Sequence, residues 1–151
     1  MSKFIGRTAD IGIAKEAVRG TAETAAAYWL PKLSMSYDDT IEEVMDESSI
    51  GVIEDSVNSV IVGKSGEGEI EGNIYDKSFG LVLLSALGGV STSGPAETTV
   101  YTHTFSIAQS AQHQALTIFQ DDGNQDYKYA LAMISQLDLD VALGQFAKFV
   151  A

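Results

Sequence analysis

The strongest constraint on the fold is a two-residue alternation. Along residues 66–74, Glu67, Glu69 and Glu71 fall to one side and Gly68, Ile70 and Gly72 to the other. Side chains of an extended strand point alternately to opposite faces, so this spacing predicts a strand. Like charges side by side on one face repel by a few tenths of a kcal/mol or more. That face must therefore be wet, and the chain must contain a sheet with a solvated acidic side. Residues 136–143 repeat the pattern, with Gln136, Asp138 and Asp140 set against Leu137, Leu139, Val141 and Leu143. Residues 100–107 alternate Tyr101, His103, Phe105 and Ile107 with Thr102, Thr104 and Ser106.

The remaining segments extend this β-rich reading. Residues 28–37 form a strand with Leu33, Met35 and Tyr37 on one side and Pro31 near its start or on an edge. Further strands are expected over 57–64, 115–120, 127–134 and 146–151, with Asp122-Gly123 as a hairpin turn. Residues 75–87 read as a helix. Phe79, Val82, Leu83, Ala86 and Leu87 recur at helical spacing, and Gly88 and Gly89 stop it. Residues 91–99, with Pro95, read as a turn-rich loop. About seven or eight strands and one flanking helix predict a mainly β (α+β) chain, an antiparallel β-sandwich or barrel. Residues 1–27 read as an N-terminal arm without a strong apolar face, a short helix over 14–18 being the alternative. Residues 28–151 then form the β domain. The sequence stops within an expected strand, which predicts a longer native protein or a fragment.

Residues 38–59 combine two conflicting properties. Asp38, Asp39, Glu42, Glu43, Asp46, Glu47, Glu54 and Asp55 lie here without a Lys or Arg, mixed with Ile41, Val44, Met45, Ile50, Val52 and Ile53. The segment is too apolar for a solvated linker and too acidic for a core strand. A loop or long hairpin that buries its apolar residues against a partner reconciles both. An ordinary surface loop with a short helix over 40–45 is the plainer alternative.

Charge and residue types narrow the chemistry. The net charge is −12, from 21 acids against 9 bases, and such a chain repels the phosphates of DNA. There is no cysteine, hence no disulfide and no thiolate. No signal segment or membrane span is expected: the longest apolar stretch, 79–90, is short and broken by glycines. Gly63-Lys64-Ser65 lacks the upstream glycine of a phosphate loop, since position 58 is Asn58. Residues 121–126 resemble a calcium loop only faintly, and a hairpin turn accounts for them. His103 and His113 belong to no recognisable triad or metal motif, and His103 is expected in the core or an interface. No catalytic site, metal or cofactor is predicted. Three classes stay open: a self-assembling structural subunit, an acidic carbohydrate- or calcium-binding β-sandwich module, and a small hydrolase using an acid pair.

A resemblance favours the first. The run over residues 10–31 carries Gly12, Lys15, Glu16, Gly20, Thr21 and Ala22, followed by Trp29 and Pro31. It resembles the opening of major tail tube proteins of long non-contractile-tailed bacteriophages, and residues 66–89 and 101–123 look similar in the same order. The resemblance implies a non-enzymatic structural subunit that joins six-fold or pseudo-six-fold rings, stacked into a tube in the virion tail after assembly in the host cytoplasm. It implies the tape-measure and other tail proteins as partners, no membrane, and an acidic lumen through which DNA passes unbound. Residues 38–59 would be the inter-ring loop, with Asp38, Asp39, Ile41, Glu42, Glu43, Val44, Met45, Ile50, Val52 and Ile53 as contact candidates. Glu67, Glu69, Glu71, Asp138 and Asp140 would be lumen candidates. Family members continue beyond the point where this sequence stops, so six single-domain or three two-domain chains per ring are both expected possibilities.

Overall fold

A computed structural model describes residues 9–46, 51, 58–97, 99–109, 112–123 and 125–151, with backbone alone at 96 and 97. The described chain is mainly β, with antiparallel sheets and one helix. The strands are β1 (Asp10–Lys15), β2 (Tyr28–Leu30), β3 (Lys32–Asp46), β4 (Asn58–Asn73), β5 (Gly88–Glu97), β6 (Val100–Ile107), β7 (Leu116–Asp121), β8 (Asp126–Ala132), β9 (Asp138–Asp140) and β10 (Lys148–Val150). The helix α1 spans Phe79–Leu87. The first sheet has the order β2-β1-β7-β8, the second β3-β4-β10-β9, and β5 and β6 form a two-stranded ribbon. Chain contacts define two compact units, Met1–Ser34 with Ile70–Ala151, and Met35–Glu69.

The core of the larger unit is assembled around β1. Ile11 and Ile13 are buried, as is Ala14 on the opposite face of the same strand. The expectation of an arm without a core face is thus overturned for Asp10–Lys15, which sits between β2 and β7. Both faces of β1 are covered, so its small and large residues alternate instead of its polar and apolar ones. The alternative of a helix over 14–18 fails as well, because Ala14 and Lys15 complete the pairing with β7.

Helix α1 is shorter than expected, and its turn begins only after Tyr75–Ser78. It ends where the glycines demanded: Gly88 adopts a left-handed φ of 86° and donates its N–H to the Leu84 carbonyl. Val82, Leu84 and Ser85 are its buried residues, a face rotated from the expected one. Phe79 packs on Phe149 of β10, with ring centroids 5.4 Å apart and planes at 43°. Phe149 is 1 % exposed, so its burial contributes on the order of 2–3 kcal/mol.

Three further boundaries depart from expectation. Residues 28–37 split at Pro31 into β2 and β3. Of the expected loop over 91–99, residues 91–97 are not a loop but most of β5. Val90, Ser91, Thr92 and Ser93 face Phe105, Thr104, His103 and Thr102 of β6, and Pro95 falls within a register shift between Ser93 and Glu97 where no ladder N–H is needed. The expected strand over 136–143 is reduced to Asp138–Asp140, and Val141 and Leu143 are exposed.

Candidate functional site

Two surfaces carry the residues that the sequence singled out. The first lies in the larger unit. In the second sheet, Val150 of β10 pairs with Glu71 on one side and with Asp138 on the other. Lys148 likewise pairs with Asn73 and Asp140. Cross-strand partners share a face, so Glu71, Asp138 and Asp140 stand together around Lys148 and Val150. The opposite face carries Gly72 and Phe149, directed to the core. Asp138 and Asp140 are exposed and Glu71 half-buried. Ser34 donates a 2.9 Å hydrogen bond to Glu71, and Lys148 lies 3.6 Å from it. One lysine among three carboxylates leaves this face acidic.

The second surface is the unit Met35–Glu69. It consists of the greater part of β3 and β4, so residues 38–46 are strand and the short helix over 40–45 is not formed. The strands run antiparallel, with Tyr37 against Gly66 and Gly68, and Glu42 against Gly63. Of its described residues only Met35, Tyr37 and Gly63 are even half-buried. Ile41, Val44, Met45, Val60, Ile61 and Val62 are all exposed by half or more. Val44 and Met45 are consecutive, as are Ile61 and Val62, so apolar side chains emerge from both faces of the ribbon. Asp38, Asp39, Glu42, Glu43, Glu67 and Glu69 are exposed among them. Ile50, Val52 and Ile53 lie outside the described residues.

Sequence reasoning missed one polar network. Glu16 is 3 % exposed, and its carboxylate accepts the N–H of Gly20 at 2.7 Å, the N–H of Leu131 at 2.7 Å and the Thr117 hydroxyl at 3.3 Å. It ties the segment after β1 to β7 and β8. The spacing Gly12, Glu16, Gly20 noted in the sequence now has a physical basis. Gly20 closes a turn onto Glu16, and a Cβ at Gly12 would stand 2.5 Å from that of Ala26. A lone acid after an apolar run gives no such signal by itself.

The discarded chemistry also has a place. Asp121 and Asp122 accept the N–H groups of Gly123 and Gln125 at 2.7 Å each, within the β7–β8 turn. Among the described residues no three His, Asp or Glu stand close enough to hold a metal ion. His103 is exposed, not in the core, and its Nδ1 lies 2.8 Å from the Thr92 hydroxyl across the β5–β6 ribbon. No helix of the described residues is long and apolar enough to cross a membrane.

These features define a mainly β protein of antiparallel sheets, with an acidic sheet face and an exposed apolar-acidic ribbon. Residues 6–150 match the family model described as phage tail tube protein, and the chain belongs to that family. The family is a structural one, and membership brings a place in the virion tail and assembly with other tail proteins. No curated protein is similar enough to the chain to count as a relative.

Proposed function

We propose that this chain is a tail tube subunit that assembles with copies of itself into six-fold or pseudo-six-fold rings. The rings stack into a hollow conduit for DNA during ejection, built in the host cytoplasm around the tape-measure protein. No catalysis is assigned to it. The observation that supports this reading is the ribbon of Met35–Glu69, whose apolar side chains on both faces stand exposed among its described residues. A two-stranded ribbon is marginal in water by itself. A neighbouring ring would cover Ile41, Val44 and Met45 and leave the acids at the rim. Ile50, Val52 and Ile53 belong to the same proposed contact by sequence.

The acids fit the conduit. Glu71, Asp138 and Asp140 share one sheet face, and Glu67 and Glu69 precede Glu71 on β4 at the same two-residue spacing. A lumen lined this way repels phosphates, so DNA slides without adhering. A double variant, Ile41→Asp with Val44→Asp, tests the ribbon. Both sites are exposed, so the subunit should keep its circular dichroism and melting temperature while losing the ability to form tubes. Tubes of normal length from this variant would remove the ribbon from the inter-ring contact.

A further inference from the structure

The outward face of the first sheet gathers aromatic and charged side chains in two rows. Gly12 of β1 pairs with Trp29 of β2 on one side and with Phe119 of β7 on the other, and Phe119 pairs with Lys128 of β8. Cross-strand partners share a face, so these residues form one row across the sheet. Two positions along the strands, Asp10, Asp121 and Asp126 form a second row on the same face. The other face carries Ile11 and Leu30 into the core.

Part of this outward face is covered. Ala14 and Thr117 are buried, and Glu23 donates its N–H to the Thr117 hydroxyl at 3.0 Å. Past Thr24 the face opens into a recess of about 370 Å³, lined by Trp29, Phe119, Asp121, Asp126 and Lys128. A Cβ at Gly12 would lie 3.2 Å from the indole, so the bare glycine lets Trp29 settle on β1 while staying 55 % exposed. The Lys128 ammonium is held 5.1 Å from the centre of the Phe119 ring. Carboxylates directly opposite one another across strands repel and cost stability, and nothing in the core requires that row.

An aromatic surface flanked by acceptors and a donor suits one ligand class. A pyranose ring offers a face of C–H groups that stacks on an indole, and a rim of hydroxyls that donate to carboxylates and accept from an ammonium. An anionic ligand would meet three carboxylates against one lysine. A metal ion does not fit, since among the described residues no three His, Asp or Glu stand close enough to hold one. A polyamine would compete with Lys128 for the same ring and the same acids.

We propose that this recess binds a neutral pyranose unit of a polysaccharide, stacked on Trp29 and hydrogen-bonded by Asp121, Asp126 and Lys128. One oxygen of Asp121 accepts the Gly123 N–H, and the other is left for the ligand. The site is complete within one subunit. It is independent of the tube reading, because neither Met35–Glu69 nor the acidic face of the second sheet contributes to it.

Trp29 is the single tryptophan of the chain, so intrinsic fluorescence reports on the recess directly. The purified protein is titrated with cellotetraose, maltotetraose, mannotetraose and galactotetraose, and with spermidine. A saturable change with at least one of the sugars is expected, in the millimolar range that suits a single bound ring. No saturable change with any sugar would overturn the proposal. Saturation by spermidine alone would overturn it too, and make the recess a cation site. Electrophoresis through gels containing the polysaccharide of the responding sugar gives a readout that needs no tryptophan. Trp29→Ala and Asp126→Asn should each weaken the retardation about tenfold. Asp76→Asn, in an exposed turn outside this sheet, should retain it. If Trp29→Ala lowers the melting temperature, Asp126→Asn, at an exposed position, decides alone. Retardation of Asp126→Asn equal to that of the unmodified protein would overturn the assignment, whatever microscopy shows of tubes.

Discussion

The carboxylate of Glu16 accepts the N–H of Leu131 at 2.7 Å, and Leu131 is the sole described non-glycine residue with a positive φ, 60°. The two facts are connected. Between Leu116 and Ile118 of β7 the pairing with β8 shifts from Ala132 to Tyr129, so β8 carries an extra residue and bulges. The bulge turns the Leu131 N–H toward Glu16. A leucine in this conformation costs about 1–2 kcal/mol, which the part-buried hydrogen bond to Glu16 offsets. Glu16→Ala would leave two backbone donors and the Thr117 hydroxyl without their acceptor. A loss of about 3 kcal/mol or more is expected in chemical denaturation. Glu16→Gln keeps one acceptor oxygen and should lose less than Glu16→Ala.

The strain at Leu131 gives a second prediction. Leu131→Gly relieves the left-handed conformation at an exposed site, at the expense of chain entropy. The two nearly cancel, so a change within about 1 kcal/mol is expected. Leu131→Val, branched at Cβ, should lose more than about 1 kcal/mol. Equal melting temperatures for the two variants would show that the bulge does not hold this geometry in solution.

Phe149 joins the short strand β10 to α1 through Phe79 and lies over Gly72, where a Cβ would come within 2.9 Å of its ring. Phe149→Ala should destabilise by about 3–5 kcal/mol, a value that thermal unfolding would measure. Gly72→Ala should also destabilise, by about 1–3 kcal/mol, through overpacking.

The ion pair between Lys148 and Glu71 should contribute little to stability. Its nitrogen and oxygen are 3.6 Å apart, and the side chains are 38 % and 31 % exposed. Lys148→Ala is expected to change stability by less than about 0.5 kcal/mol. In the proposed tube its larger effect would be electrical, making the sheet face more acidic.

Reversal of the charge on that face tests the proposed lumen. Asp138→Lys with Asp140→Lys should leave the fold intact, since both residues are exposed at an edge strand. Tubes of this variant should bind DNA in a salt-dependent manner, weakening as salt rises. DNA binding absent at every salt concentration would place these acids away from the lumen.

Much of this architecture was legible where side chains alternate in polarity. Residues 100–107 were read as a strand and coincide with β6, and the carboxylate alternation over 66–74 lies within β4. The helix stop at Gly88 followed from its conformation. Elements whose alternation is of size or of similar polarity were lost. In β1, Ile11 and Ile13 alternate with Gly12 and Ala14, which resembles no face at all when both faces are covered. In β5, serines, threonine, glycine and proline look like a turn until β6 pairs with them. The grouping of Glu71 with Asp138 and Asp140 could not be read either. It depends on β10 entering between their strands, a long-range register that local pattern does not encode. Glu16 was hidden for the same reason, since its partners Thr117 and Leu131 are far along the chain.

The central claim is that this chain builds a hollow tube from copies of itself. Negative-stain electron microscopy of the purified protein tests it most directly, across a concentration series and with tail-tip complexes of the phage that encodes it. The account predicts rings or hollow tubes of uniform diameter, free in solution or growing from the tips. A protein that stays monomeric at every concentration and adds nothing to the tips would contradict it.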